Sequence, residues 1–299
     1  MKKIISPLFP ENSRVELEET FKSEKIISLY SSLNIDVSRF FPDKEVNLYK
    51  CKNTGYRFYY PYSTIGDAEF YEDLSKNRKN YYSERWEHKE SLKYIGLNKK
   101  VLEIGSGFGA FLNMLKSKNI TGKGLELNPH AVLTCKENDL DIEQKLIQEL
   151  IEEQKETFDV VCFFQVLEHI PKVHDFLESA IKALKPGGKL IIGVPNNNPY
   201  LFKYDKLHTL NLPPHHAGLW NKKSLLSLEK VFPLKLEAIK FEPISLNYDY
   251  YLNVILNQSN NVFERIVYRI LNKLASSILK KLICKFHKGR NVLAVYSKL

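Results

Sequence analysis

Cysteine is scarce: there are four in 299 residues, at Cys51, Cys135, Cys162 and Cys284, with no paired spacing. This usage excludes a disulfide framework and suits a reducing compartment. Cys162 falls inside an apolar run and reads as a small core residue. Long hydrophobic runs are missing too, so no stretch is expected to cross a bilayer. The N-terminus, MKKIISPLFPENSRVELEE, has two lysines but no apolar segment behind them. No signal peptide is therefore expected, and a cytoplasmic protein is the default. Acid is short relative to base: 44 Lys and Arg against 35 Asp and Glu leave a net charge of +9. Such a balance permits a nucleic-acid or membrane-surface partner without demanding either. Much of the excess sits near the C-terminus, at Arg265, Arg269, Lys273, Lys280, Lys281, Lys285, Lys288 and Arg290. No RNA-binding module is recognisable, which argues against a nucleic-acid partner.

The most informative stretch is VLEIGSGFGAFL, Val101 to Leu112. Val101, Leu102 and Ile104 read as a short buried strand, and Ala110 onward as a helix. Between them, Gly105, Ser106, Gly107 and Gly109 form a tight turn. Glycines let a backbone approach a ligand closely, and the N–H groups of a helix N-terminus face it. Gly105, Gly107 and Ala110 also fit the dinucleotide pattern G-x-G-x-x-G/A, so the turn alone leaves NAD open. Glu103 separates the two readings. A carboxylate just before the turn repels a pyrophosphate and attracts an ammonium group. S-adenosylmethionine (SAM) carries an ammonium and a sulfonium and no phosphate. Glu126 ends the next expected strand, with Leu127 beside it, about 20 residues on, where an acid grips ribose hydroxyls.

Four segments stand in order: VLEIGSGFG, GLELNP, FDVVCFFQVLEHI and ALKPGGKLIIGVPN. Together they resemble the class I SAM-dependent methyltransferases, strongly over 99–195 and loosely elsewhere. Strands are expected near 100–104, 122–127, 141–143, 158–164 and 188–194, and helices near 110–118, 129–138 and 173–184. That alternation implies a Rossmann-like α/β fold, with a parallel sheet covered by helices on both faces. A helix near 221–231, a strand near 235–242 and a last strand at 291–297 follow. The resemblance implies that these last two strands form an antiparallel hairpin beside the parallel sheet. Glu103, Glu126, Gln165 and Pro195 all fall at strand carboxyl ends, where such sheets bind ligands.

The chain divides into an aromatic-rich accessory segment (1–90), a SAM-binding core (91–248), a basic helical insertion (249–290) and a final core strand (291–299). VNLYKCKNTGYRFYYP alternates like a short hairpin. Many related methyltransferases hold a zinc-ribbon pair here. Cys51 stands without a second thiolate, so a metal-free segment packed over the core is expected. Tyr81, Tyr82 and Trp86 open a helix that packs on the core, with Tyr82 a candidate contact to the methionine end of SAM.

The resemblance implies that Glu103 holds the SAM ammonium, Glu126 the ribose hydroxyls, and Gly105, Ser106, Gly107 and Gly109 the cradle. Gln148 is the candidate adenine contact, and Gln165 points toward the methionine. Gln165, Glu168 and His169 lie in QVLEHI. Ubiquinone-pathway and small-RNA O-methyltransferases look similar here, with an E-x-x-E-H pattern that binds a divalent cation. Gln165 replaces the first acid, so no metal is expected. A set of Glu168, His169 and His215 or His216 is the alternative. Histidine titrates near neutrality and suits a general base. His169, His215 and His216 are therefore the catalytic candidates, with His215 preferred to its neighbour. Two prolines in LPPHH, Leu212 to His216, stiffen the approach to that pair.

That loop resembles one in methyltransferases of bacterial surface-polysaccharide and sugar-modification pathways. Methylation of a sugar hydroxyl, on a nucleotide sugar or glycan, is the first expectation. A quinone or other lipid-like acceptor is the alternative, favoured by the C-terminal helices, and RNA a more distant one. In 249–290, Phe263, Ile266, Val267, Ile270, Leu271, Leu274, Ile278, Leu282 and Ile283 recur at helical spacing opposite a basic face. The simpler expectation is a helix pair packed on the core or on a twin subunit in a homodimer. The sharper one is peripheral contact of 262–286 with the inner face of an anionic membrane.

Overall fold

The computed structural model describes residues 4–11, 13–77, 85–197, 207–259 and 261–299. Two sheets organise it. The smaller is built from β1 (Val15–Lys22), β2 (Glu45–Cys51), β3 (Arg57–Tyr60) and β9 (Gly218–Leu219), in that spatial order. Its paired strands are antiparallel. The larger has seven strands in the order β10-β11-β8-β7-β4-β5-β6. These are β4 (Lys100–Ile104), β5 (Thr121–Leu125), β6 (Ile142–Glu143), β7 (Phe158–Phe164), β8 (Leu184–Pro195), β10 (Leu234–Pro243) and β11 (Lys288–Lys298). Strands β4 to β8 run parallel, while β11 is antiparallel to both β8 and β10. This is the expected Rossmann-like α/β sheet with a terminal antiparallel hairpin.

Period-two alternation sorts the strand residues onto two faces. Leu102, Ile104, Val161, Phe163, Leu190 and Ile192 join one buried cluster, with Leu150 of α6 (Ile147–Glu153) and Phe176 of α7 (Val173–Ala183). Val101, Cys162, Ile191 and Leu293 join the other, with Phe111 and Leu115 of α4 (Ala110–Ser117) and Val132 of α5 (Pro129–Glu137). Asn128 caps α5, its Oδ1 accepting from His130 N and Ala131 N. Each fully buried Leu, Ile or Phe contributes roughly 1.5–3 kcal/mol, so this double-sided burial fixes the strand order.

The expected boundaries shift in three places. The second core strand stops at Leu125, which places Glu126 and Leu127 in the turn beyond it. The strand expected at 188–194 begins at Leu184, because the chain passes directly from α7 into an irregular, bulged pairing with Phe158. The helix expected at 221–231 divides into α8 (Lys222–Leu226) and a 3-10 turn over Ser227–Lys230.

The N-terminal hairpin is held by the loop it covers. Strand β9 lies in the loop after the core sheet and pairs with β3. An added Cβ on Gly218 would sit 1.8 Å from the Tyr56 hydroxyl, so only glycine lets these strands meet. Tyr56 packs on fully buried Trp220, with ring centroids 4.6 Å apart. Tyr30 Oη donates to Thr209 O at 2.7 Å and Tyr59 Oη to Asn211 O at 2.8 Å. The accessory sheet therefore positions the LPPHH loop. Helix α1 (Ser23–Ser31) and α2 (Ala68–Asn77) contribute Ile26, Tyr30, Phe70 and Leu74 to its separate cluster.

The insertion between β10 and β11 is a helix pair, α9 (Tyr248–Gln258) and α10 (Val262–Phe286). Its buried cluster joins Tyr251, Leu252 and Ile255 of α9 to Leu279 and Ile283 of α10. The rest of the expected apolar stripe stays at the surface: Phe263 is 74% exposed and Leu274 78%. The core does not cover this face.

Candidate active site

The glycine turn requires left-handed backbone. Gly105 has φ +72° and Gly109, the residue preceding α4, φ +75°. A Cβ on Gly105 would stand 2.5 Å from Val166 Cγ2, and one on Gly109 would stand 2.4 Å from Leu140 Cδ1. Both sites therefore exclude larger residues on conformation and on space. Gly105 N and Ser106 N donate to Leu125 O, tying the turn to β5 at 2.7 and 3.1 Å. Ser106 is buried against that carbonyl. Glu126 clamps the turn from the other side. Its Oε2 accepts from Gly107 N at 2.8 Å, and its Oε1 accepts from Leu127 N and Asn128 N at 2.8 and 2.9 Å.

Glu103 is 3% exposed on the Val101 side of β4. Its Oε2 has no hydrogen-bond partner among the described residues. Burial, and then the charge of Glu126, push this carboxyl well above the usual range. A buried polar atom left without a partner costs about 1–3 kcal/mol. A SAM ammonium would supply the missing donor and a positive charge, so the residues present fit the cofactor. Leu127 is 55% exposed beside Glu126. Gln148 lies exposed on the first turn of α6. Tyr81 and Tyr82 lie outside the described residues.

Gln165 ends β7 in the left-handed region, φ +56°, a conformation that is uncommon away from glycine and clusters at functional sites. Its Nε2 donates to Glu87 Oε1 at 2.8 Å. Glu87 belongs to α3 (Trp86–Ser91), is fully buried, and leaves Oε2 without a partner among the described residues. Burial raises its pKa. Gly193 makes room for it, since a Cβ there would lie 3.1 Å from Glu87 Cγ. The sequence reading assigned this helix to packing and missed Glu87. A lone acid in WEHKES carries no signal before β7 and β8 are placed under it.

The three candidate histidines converge, although His169 is 46 residues from His215. Ring centroids of His169 and His215 are 4.9 Å apart, those of His169 and His216 5.1 Å, and His215 stacks on His216 at 4.6 Å. His169 Nδ1 lies 2.6 Å from His215 O. A carbonyl only accepts, so this contact favours hydrogen on Nδ1, with Tyr71 Oη 3.1 Å from the same nitrogen. Tyr71 Oη donates to the same carbonyl at 2.9 Å. Burial lowers the His169 pKa to about 4 and raises that of fully buried Glu168 to about 8. Glu168 Oε1 lies 3.9 Å from His169 Nε2.

One ligand atom from each histidine lies within 4.8 Å of the others. Three neutral imidazoles suit a late first-row divalent cation. His169, His215 and His216 are thus the residues that would hold one, a nearer approach to a metal site than the sequence led us to expect.

A methyltransferase-domain family model matches residues 76–232, more than half of the chain. A ubiquinone biosynthesis O-methyltransferase of Pseudomonas fluorescens strain Pf-5 is 27% identical over 198 residues, covering 59% of this chain and 79% of that enzyme. Its counterpart from strain SBW25 is 27% identical over 207 residues, covering 62% and 83%. The structure of the PH0226 protein from Pyrococcus horikoshii OT3 superposes with a TM-score of 0.52 at 17% identity, over 78% of this chain and all of that one, and shares the fold. None of these shows the expected likeness to surface-polysaccharide enzymes. With the family model matched over more than half of its length, the chain belongs to the methyltransferase-domain family and is a SAM-dependent methyltransferase.

Proposed function

We propose that this enzyme methylates a hydroxyl oxygen of a quinone-like or other lipid-like acceptor, with His169 as general base. The observation that carries the proposal is the 2.6 Å contact of His169 Nδ1 with the His215 carbonyl, which favours the tautomer that leaves Nε2 as the acceptor, 3.9 Å from buried Glu168 Oε1. A hydroxyl needs such a base. The choice of acceptor class follows the relatives, named as ubiquinone biosynthesis O-methyltransferases. A sugar hydroxyl, the first expectation from LPPHH, has no comparable support.

SAM supplies an electrophilic methyl group on sulfur. With SAM bound, the acceptor oxygen would take that methyl group, and sulfur would keep the electron pair of the broken carbon–sulfur bond. Glu103 and Glu126 fix the donor, and alignment of donor with acceptor accounts for much of the rate. The hydroxyl proton passes to His169 Nε2. Ionised Glu168 then stabilises the imidazolium. The His215 carbonyl holds the ring in register through Nδ1.

The test is transfer of labelled methyl from SAM to a prenylated dihydroxybenzene and to a panel of nucleotide sugars. Label in the phenol ether supports the acceptor class. Label confined to a sugar overturns it.

A further inference from the structure

Helix α10 carries an apolar ridge that the described chain leaves open. Phe263, Ile266, Ile270, Leu274, Ile278 and Leu282 follow one another at steps of three or four, and all are exposed. Leu279 and Ile283, on another side of the same helix, anchor it to α9. Ridge and anchor are thus separate faces, and the anchor leaves the ridge facing outward. Exposed basic residues accompany the ridge along its length: Arg269 and Lys273 before the kink at Ala275, Lys280, Lys281 and Lys285 after it. The one acid of α10, Glu264, is held at its N-terminus, where Oε2 accepts from Ser259 Oγ at 2.6 Å. Exposed apolar rows of this kind, one on each side of the kink at Ala275, mark a contact site.

Charge selects the occupant. No described helix is long and apolar enough to cross a membrane. Pairing of two copies through this face would set five cations against five with little acid between them. An anionic bilayer surface answers both features, because lipid phosphates meet the Lys and Arg side chains while the ridge enters the acyl boundary. We propose that α10 is an interfacial helix that docks this enzyme onto an anionic bilayer. The insertion leaves the core at the pocket end of the sheet. Strand β11 resumes at Lys288, and its Asn291 Oδ1 is 3.4 Å from Gln165 Nε2. The insertion is thus rooted at the same end of the sheet as Gln165.

The inference goes beyond the acceptor reading, since an enzyme acting on a soluble sugar could still dock this way. The test is flotation of the full-length protein with phosphatidylcholine vesicles, with and without phosphatidylglycerol. The protein should float with the anionic vesicles alone and be released by salt. Leu274→Glu with Ile278→Glu, and separately Lys280→Glu with Lys281→Glu, should each weaken vesicle binding roughly tenfold or more, with SAM affinity unchanged. Absence of flotation with anionic vesicles, or wild-type flotation by both double variants, overturns the proposal. So does a dimer in sedimentation velocity that Leu274→Glu dissociates, which would assign the ridge to a second copy.

Discussion

Gln165 Nε2 donates to Glu87 Oε1 across 2.8 Å, joining the end of β7 to the helix in front of the core. The Glu87 carboxyl comes from another element and lies directly against the amide. The pair is a donor–acceptor match that two ionised carboxylates could not make.

Reversing the pair tests the match. Gln165→Glu alone sets two buried carboxyls side by side and should destabilise the protein by about 1–3 kcal/mol. Adding Glu87→Gln restores one amide and one acid. Urea denaturation of both single variants and the double variant should show a coupling of roughly 0.5–3 kcal/mol. Additive losses would mean that the two side chains do not depend on one another.

Loss of the base should slow chemistry and spare donor binding. His169→Ala should lower kcat by about 10²–10⁴-fold with SAM affinity unchanged by calorimetry. His215→Ala keeps the carbonyl that orients His169 and should cost less. Full turnover by His169→Ala would remove it from the mechanism.

Acidity enters through Glu168. Burial keeps it protonated up to about pH 8, whereas His169 stays neutral down to about pH 4. The imidazolium formed in the reaction needs the ionised carboxylate. The single-turnover rate should therefore rise with pH toward about 8 and then level, and Glu168→Gln should flatten the rise. Stability runs the other way. A raised folded pKa favours the protonated, folded form, so this stabilisation is complete below the ordinary value of 4.5 and fades as pH climbs through about 8. Melting of the free enzyme at both ends of that window, wild type against Glu168→Gln, reads the second effect. A pH profile identical in both proteins would contradict the assignment.

The histidine trio makes a prediction about metal ions. The proposed base acts through the Nε2 lone pair of His169, which a cation held by His169, His215 and His216 would occupy. Added Zn²⁺ should inhibit, and a chelator should leave the rate intact. Activity abolished by chelation and restored by magnesium would overturn the base assignment.

Much of this was legible in the sequence because local chemistry dictated it. Positive φ at Gly105 and Gly109 needs glycine, and the alternation of Val101, Leu102, Glu103 and Ile104 shows which side chains face helices. Glu126 followed from its distance to the turn. What escaped depends on contacts distant in sequence. The two residues Gly218 and Leu219 look like loop until β3 lies beside them. Glu87 looks like one more helix acid until Gln165 and Gly193 surround it. The histidines gave two separate signals, in QVLEHI and LPPHH, and contacts distant in sequence, such as Ala217 N to Glu168 O at 2.8 Å, bring them together. In α10 the periodicity correctly gave an amphipathic helix, but a stripe of Phe263, Ile266 and Ile270 reads the same whether it faces a core or the outside.

Glu103 and Glu126 flank the glycine turn with two carboxyl groups, which favour a cationic donor over a phosphorylated one. Isothermal titration of SAM and of NAD into wild-type protein and Glu126→Ala tests this preference directly. SAM should bind the wild type, NAD should not, and Glu126→Ala should lose roughly tenfold or more in SAM affinity, as expected for a charged hydrogen-bonding group worth about 1.5–3 kcal/mol. Binding of NAD with SAM left in solution, or an unchanged SAM affinity in the variant, would contradict it.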